Sequence, residues 1–214
     1  MAAGQTNPQD VFINCRFDPE WTDNFEALAF AVIGCGFRVR CARELDDATG
    51  TRIDKLYRII GESRYGIHDL SCVDPDPVNN LPRFNMPLEL GFFLAAKQYG
   101  GTHQKEKRCL ILESEPYRYQ IFVSDLNGMD INPHQNDART MVRRVRDFLF
   151  TASRRKTIPT GPNLVNSYDA FVNSRLQLLA DAGLDADELL FADYEKLAIE
   201  WIKADASLGS HVQH

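Results

Sequence analysis

Tyr65-Gly66-Ile67-His68-Asp69-Leu70-Ser71 and, beyond a loop, Asn85-Met86-Pro87-Leu88-Glu89-Leu90-Gly91-Phe92-Phe93-Leu94-Ala95-Ala96-Lys97 decide how this chain folds. The first run is strand-like and ends in polar groups. The second reads as a helix with an abrupt start. Pro87 suits its first turn, where a missing N–H costs nothing and φ is already helical. Asn85 or Met86 is the expected N-cap, asparagine being the better capping residue. Apolar residues then run almost all round, so the helix should be largely buried. Glu89 is the odd residue, an acid in an apolar run. It either complements the helix dipole or carries chemistry. A strand, a loop and a buried helix with an acid at its start is how open α/β sheets build sites. The intervening Asp74–Arg83 holds three prolines and four Asp or Asn residues, so it reads as a loop on the ligand-facing edge.

The same alternation continues in both directions. Residues 1–9 read as a disordered N-terminus. Val11–Phe17 is a β-branched and aromatic first strand, and Asp18-Pro19-Glu20 is its exit loop. Thr22 or Asp23 caps a helix carrying Phe25, Leu28, Ala29, Val32 and Ile33 at helical spacing. Gly34 and Gly36 end it, and Phe37–Ala42 forms a second strand. After a polar loop, Glu44–Gly50, comes a helix Thr51–Glu62 with Ile53, Leu56, Ile59 and Ile60 on one face. Arg108–Glu113 is a fourth strand and Tyr119–Val123 a short fifth.

This order predicts an α/β, flavodoxin-like three-layer fold with a central, mainly parallel sheet of four to five strands. The core is expected over residues 10–130. A helical extension packed on it covers 131–205, and 206–214 form a frayed tail. The extension holds helices over Asp137–Phe150, Asn163–Ala182 and Asp185–Lys203, the first two separated by Pro159-Thr160-Gly161-Pro162. It exceeds what the sheet needs, so it is expected to cover a sheet edge or mediate self-association.

Composition narrows the function. The 214 residues are 44% apolar and 25% charged with a mean hydropathy of −0.33, ordinary for one soluble domain. No apolar run approaches the roughly 20 residues that span a bilayer. No basic segment followed by an apolar core opens the chain, so a cytoplasmic protein without a membrane partner is expected. A net charge of −6 argues against nucleic acid as a partner. Arg139, Arg143, Arg144, Arg146, Arg154, Arg155 and Lys156 cluster as a solvated helix face or a phosphate site. Five cysteines lack CxxC spacing and read as small buried hydrophobes, and the five histidines are scattered; no metal site is expected. GxxxxGK[ST], HExxH and GxSxG are absent, and Gly34-Cys35-Gly36 follows a helix, the wrong context for a dinucleotide fingerprint.

Carboxylates at strand ends remain. In a parallel sheet the ends of strands one and three lie close. Asn14, Arg16, Asp18, Asp69 and Ser71 are thereby directed toward the helix start at Asn85 and Met86, and toward Glu89. An ionised carboxylate beside a ribose suits cleavage of an N-glycosidic bond, whose transition state is oxocarbenium-like. Glu89 is expected to be ionised by the helix N-terminus and to act as nucleophile or electrostatic stabiliser. Asp69 either orients ribose hydroxyls or ties down the following loop through backbone hydrogen bonds. Arg16 either pairs with a substrate anion or is a surface arginine. His68 reads as a packed histidine.

The first strand with its polar exit, the acid-ended third strand and Met86-Pro87-Leu88-Glu89-Leu90-Gly91 together resemble the TIR and nucleoside 2-deoxyribosyltransferase superfamily, over roughly residues 10–125. The resemblance maps that superfamily's catalytic glutamate to Glu89 and, more loosely, a strand-end aspartate to Asp69. The Trp-Cys pair often found before the TIR glutamate is Met86-Pro87 here, and the Asp-Gly pair of the deoxyribosyltransferases is replaced by Asp69-Leu70. The resemblance implies NAD as substrate rather than cofactor, with release of nicotinamide and hydrolysis or cyclisation of the ADP-ribose. Its other branch implies a nucleoside or nucleotide 2-deoxyribosyltransferase or hydrolase. It also implies a stand-alone bacterial TIR-like protein, many of which act in antiphage defence, and assembly into a homo-oligomer. From a different class, the same pocket suits a non-catalytic module that senses a nucleotide.

Overall fold

The computed structural model describes residues 6–44, 50–75 and 80–208. The disorder expected for residues 1–9, the loops over 44–50 and 74–83, and the frayed tail fall partly outside them, at 1–5, 45–49, 76–79 and 209–214. The described chain divides into two compact units. One comprises the residues up to Phe25 with Val39–Asp137; the other comprises Glu26–Arg38 with the chain from Ala138 on.

The first unit is built on the sheet. Strand β1 (Asn7–Asn14) is followed by a 3₁₀ turn (Pro19–Trp21) and α1 (Thr22–Gly34), whose first residues belong to this unit. Then come β2 (Arg38–Arg40), α2 (Arg52–Glu62), β3 (Ser63–Asp69), α3 (Asn85–Tyr99), the one-turn α4 (Thr102–Lys105), β4 (Arg108–Glu113), the one-turn α5 (Tyr119–Phe122) and β5 (Ile131–Pro133). The strand order is β2-β1-β3-β4-β5, and β1–β3, β3–β4 and β4–β5 all pair in parallel. A parallel sheet in this order, with helices in the connections, is a flavodoxin-like α/β fold. Its chain reverses direction across the sheet at β1, since β2 lies on one side and β3 on the other. The loops leaving β1 and β3 therefore part, and a crevice opens at their carboxyl ends.

Burial of apolar faces holds these elements together. Phe12 from β1 packs with Leu56, Ile59 and Ile60 of α2 and Phe93 of α3. Leu70, Met86, Leu90 and Ile111 form a second cluster, joined by Ile131. Thr51 caps α2 by accepting the Asp54 N–H. Ile53, expected on the buried face, is 40% exposed. Lys107 is buried entirely; its amine donates to the carbonyls of Ile60 and Ser63 and lies 4.5 Å from the Phe93 ring centroid. It thereby satisfies carbonyls where α2 ends.

Gly66 leaves room for two side chains. A Cβ there would come within 2.7 Å of His68 Nε2 and 2.9 Å of Phe93 Cε2, and both side chains are fully buried. Gly66→Ala is expected to cost about 1–3 kcal/mol through overpacking. A lowered midpoint in urea denaturation checks this, and an unchanged midpoint contradicts it.

Three expectations are corrected in this unit. Residues 7–9, expected to be disordered, open β1, which ends at Asn14 rather than Phe17. Tyr119–Val123 is not a strand: Tyr119–Phe122 is a helical turn with Tyr119 buried and Ile121 exposed. The place beside β4 belongs to Ile131–Pro133, which pairs with Ile111–Glu113. The helix expected to be capped by Asn85 or Met86 includes both. Its N-cap is Phe84, which makes no side-chain capping bond. Pro87 is the third helical residue, where the N–H would still lack an intrahelical partner. Glu89 consequently lies in the second turn rather than the first.

The second unit is helical. The later part of α1 joins α6 (Ala138–Ser153), α7 (Gly161–Ala182) and α8 (Phe191–Ala204). Phe30 of α1 packs on Tyr168 and Phe171 of α7, and Phe171 packs on Tyr194 and Trp201 of α8. Arg175 holds Glu26 through both carboxylate oxygens, and the Tyr194 hydroxyl donates to the Glu26 carbonyl at 2.7 Å. Thr160 caps α7, with Pro162 in its first turn, and Gly183 ends it at φ +67°. The extension expected over 131–205 thus gathers a segment from far upstream in the sequence.

Candidate functional site

Strand β1 delivers Asn14 to the carboxyl edge of the sheet. Its side-chain amide donates to the Met86 carbonyl at 2.9 Å and to His68 Nδ1 at 3.1 Å. Asn14 therefore ties the start of α3 to β1 and β3. Because His68 Nδ1 accepts, the ring carries its proton on Nε2. Burial lowers the His68 pKa to about 3, so the imidazole is neutral and packed, as expected. Asn14 Oδ1 and His68 Nε2 are buried without a hydrogen-bond partner among the described residues.

Asp69, the last residue of β3, is the hub of the edge. One carboxylate oxygen accepts from the backbone N–H of Ser71 at 3.0 Å and from its hydroxyl; the other accepts from Trp21 Nε1 at 3.3 Å. These bonds tie down the loop after β3, the plainer of the two roles foreseen for Asp69. His134, just past β5, reaches the same place. Its Nε2 lies 2.8 Å from Ser71 Oγ and 3.4 Å from Asp69 Oδ1. The Asn136 N–H donates to His134 Nδ1 at 3.0 Å, which puts the proton of the neutral ring on Nε2. Nε2 therefore donates to Ser71, and Ser71 donates to Asp69. A nucleophilic Ser-His-Asp triad needs the opposite: an unprotonated imidazole nitrogen facing the serine. This buried trio is a hydrogen-bonded brace.

Arg118 extends the brace to the loop after β4. It donates to the Ser71 carbonyl at 2.7 Å and to Asp74 Oδ1 at 2.6 Å, and meets Ser114 Oγ at 3.2 Å. Glu113, at the end of β4, takes the Ser114 N–H and hydroxyl on one oxygen. Its other oxygen is buried and unpartnered among the described residues. Burial raises the Glu113 pKa despite the opposing bonds from Ser114 and the charge of Arg118.

A cleft of about 540 Å³ opens at this edge, lined by Arg16, Asp18, Cys72, Asp74 and Arg83 together with Pro19, Glu20 and Pro75. Asp18 pairs with both Arg16 and Arg83, the latter at 2.9 Å, and the hydrogen bond from Arg16 is the main cause of its lowered pKa. Arg16 is thus held by a carboxylate and also faces the cleft. Burial pushes the Cys72 thiol up to about 11, so it is a poor nucleophile at neutral pH. Among the described residues, no three His, Cys, Asp or Glu side chains are placed to hold a metal ion.

Glu89 is 6% exposed and makes no hydrogen bond or ion pair among the described residues. Burial raises its pKa to about 7, against a smaller opposing effect from Arg52. The expectation of a carboxylate kept ionised by the helix start is therefore corrected. In the second turn the dipole is spent, and desolvation decides. Glu89 is not among the residues lining the cleft.

The structure brings Asn14, Met86 and His68 into one cluster, Asp69 and Ser71 into a second, and Arg16 and Asp18 into a third. Asn85 is exposed at the start of α3. Trp21, Arg83, Arg118 and His134 went unnoticed in the sequence because each has a partner 47–65 positions away. The basic cluster is partly occupied by structural contacts: Arg139 pairs with Asp169, Arg146 donates to the Pro159 carbonyl, and Arg155 lies over the Phe37 ring. Comparison with protein families and with curated proteins finds no match for the chain.

Proposed function

We propose that this protein cleaves an N-glycosidic bond of a nucleotide, with NAD as the first substrate to test and Glu89 as the reacting carboxyl. The observation that carries the reading is Glu89 itself: a carboxyl on a residue only 6% exposed, with no hydrogen bond among the described residues and a pKa near 7, on the helix that follows β3 at the switch point of the sheet.

The chemistry separates two substrates by pH. In NAD the C1′–N bond breaks with its electron pair passing to the cationic ring nitrogen, so nicotinamide leaves neutral and needs no proton. The ionised carboxylate stabilises the cationic C1′ or bonds to it; water then bonds to C1′, in the second case as the carboxylate–C1′ bond breaks with its electron pair returning to Glu89, and the water's proton goes to solvent. A neutral nucleobase needs a proton as it leaves, which the protonated carboxyl of Glu89 would supply. NAD cleavage should therefore rise with pH through about 7, and nucleoside hydrolysis should fall.

The test is chromatography of the protein incubated with NAD and with a panel of nucleosides and nucleotides across that pH range. Release of nicotinamide, reduced about 100-fold or more in Glu89→Gln, is the expected result. Activity confined to the panel supports the hydrolase or base-exchange branch. A nucleotide-sensing module is the second reading, favoured by the absence of Glu89 from the cleft lining. It predicts nucleotide binding without turnover, equal in the protein and in Glu89→Gln.

A further inference from the structure

We infer that one exposed flank of α6 binds single-stranded nucleic acid, through several phosphates and a stacked base. From Arg139 to Lys156 the chain carries seven cations and a single acid, Asp147, although the whole protein is at −6. That segment is at +6, which leaves −12 for the rest. Arg139, Arg143, Arg146 and Phe150 recur at intervals of three or four and so line one flank of the helix. Arg139 pairs with Asp169 yet keeps its side chain 63% exposed. Arg146 lies over the Phe150 ring at 4.4 Å, and Phe150 is 40% exposed. Arg143, Arg144, Arg154 and Lys156 are exposed and have no ion pair among the described residues. Like charges at this spacing repel and weaken a helix, so fold stability alone does not account for the cluster. Arg154 adds a backbone observation. It follows the end of α6 at φ +59°, the left-handed region where α7 ends on Gly183 at +67°. A side chain held there is strained, and the one held is an exposed cation.

Three arguments point to this occupant. Six of the seven cations are arginines, whose planar fork pairs with phosphate through two hydrogen bonds. Spacing is the second. Arg139 to Arg154 spans about 22 Å at the helical rise, the length of about six nucleotides of a stacked strand at roughly 3.4 Å each. The stripe therefore follows a backbone rather than one phosphate group. Phe150 is the third. It stands among the cations, where a base can stack on its ring or on the guanidinium plane of Arg146. A duplex hides its base faces, so the ring favours a single strand. An anionic membrane fits less well. Helices that lie on a bilayer insert their apolar face, and that of α6 (Met141, Val142, Val145 and Leu149) is wholly buried in the protein. The net charge of −6 acts on approach from a distance; salt screens it beyond about 8–10 Å, so local charges decide the contact. The inference does not rest on Glu89, which belongs to the other compact unit.

Fluorescence anisotropy tests it, with the full chain titrated into a labelled single strand of about 12 nucleotides and mixed sequence, as DNA and as RNA, over a range of salt. The expected result is saturable binding that weakens with salt, with a log–log slope of about −2 to −3 for three or four neutralised phosphates. Binding of either form supports the inference, and the tighter of the two names the source. Arg143→Gln combined with Arg154→Gln should weaken binding about tenfold or more and reduce the slope by about 1.4. Phe150→Leu should weaken it about fivefold or more and leave the slope unchanged. Circular dichroism verifies that each variant is folded. Asp147→Asn removes the one acid of the stripe and should tighten binding, which a folding defect cannot imitate. No binding at low salt and several hundred micromolar protein overturns the inference, as does an arginine double variant with unchanged affinity. Equal affinity for the duplex of the same sequence, or indifference to Phe150→Leu, overturns the single strand as ligand. Tighter binding to phosphatidylglycerol vesicles or to polyglutamate than to the strand overturns nucleic acid as the occupant.

Discussion

Replacing Glu89 by glutamine raises stability relative to the unaltered protein by an amount that grows by about 3 kcal/mol between pH 4.5 and pH 8. The sign follows from the two protonation states. The Glu89 carboxyl titrates near 7 in the folded protein, against an ordinary value of 4.5. Below 4.5 it is protonated whether or not the chain is folded, and the stabilising effect of its raised pKa is fully present. Between 4.5 and 7 the unfolded chain ionises and the folded one does not, so the folded state binds more protons and stability falls as pH rises. Above 7 the loss is complete. Glutamine has no charge to desolvate, so its curve lacks this decline. Lys107, whose pKa burial lowers to about 7, titrates in both proteins and cancels in the difference. Urea denaturation of both proteins at several pH values measures it, and parallel curves would contradict the burial of Glu89. The same substitution should abolish turnover, so stability and activity move in opposite directions, the pattern of a group retained for chemistry.

Asp69→Ala is the second large effect, a loss of about 3–5 kcal/mol, from donors that each cost about 1–3 kcal/mol when left unsatisfied. The substitution removes the acceptor for the Ser71 N–H, the Ser71 hydroxyl and Trp21 Nε1, and leaves the buried Ser71 donors and the half-buried Trp21 without their bonds. His134 Nε2, 2.8 Å from Ser71 Oγ, loses the endpoint of its donor chain. Asp69→Asn should cost less, because an amide oxygen still accepts from Ser71 while its NH₂ opposes a donor at Trp21. Denaturant midpoints that rank the protein above the asparagine variant, and that above alanine, are the expected outcome. An alanine variant within 1 kcal/mol of the unaltered protein would show that the brace contributes little.

Local pattern carried much of the fold. Arg108–Glu113 is a strand over the same residues read from its apolar run, and the helix read over Thr51–Glu62 is α2, with Thr51 as its cap rather than its first residue. Short runs defeated the same reasoning. Tyr119–Phe122 is too brief to display a period, so its β-branched and aromatic character misled. Ile131–Pro133 has three residues and no periodicity of its own; pairing with β4 makes it a strand.

By itself, the sequence determined the alternation of strands and helices, the identity of Glu89 as the acid in an apolar helix, and the packed role of His68. These rest on spacing between residues near in the chain, where the periods of 2 and 3.6 are legible. Only the tertiary structure decided that Glu89 lies in the second turn and titrates near 7, that His134 and Arg118 brace Asp69 and Ser71, and that α1 joins the C-terminal helices. The reason is physical: desolvation and hydrogen-bond partnership depend on what the fold brings near, and a one-dimensional pattern does not contain those neighbours.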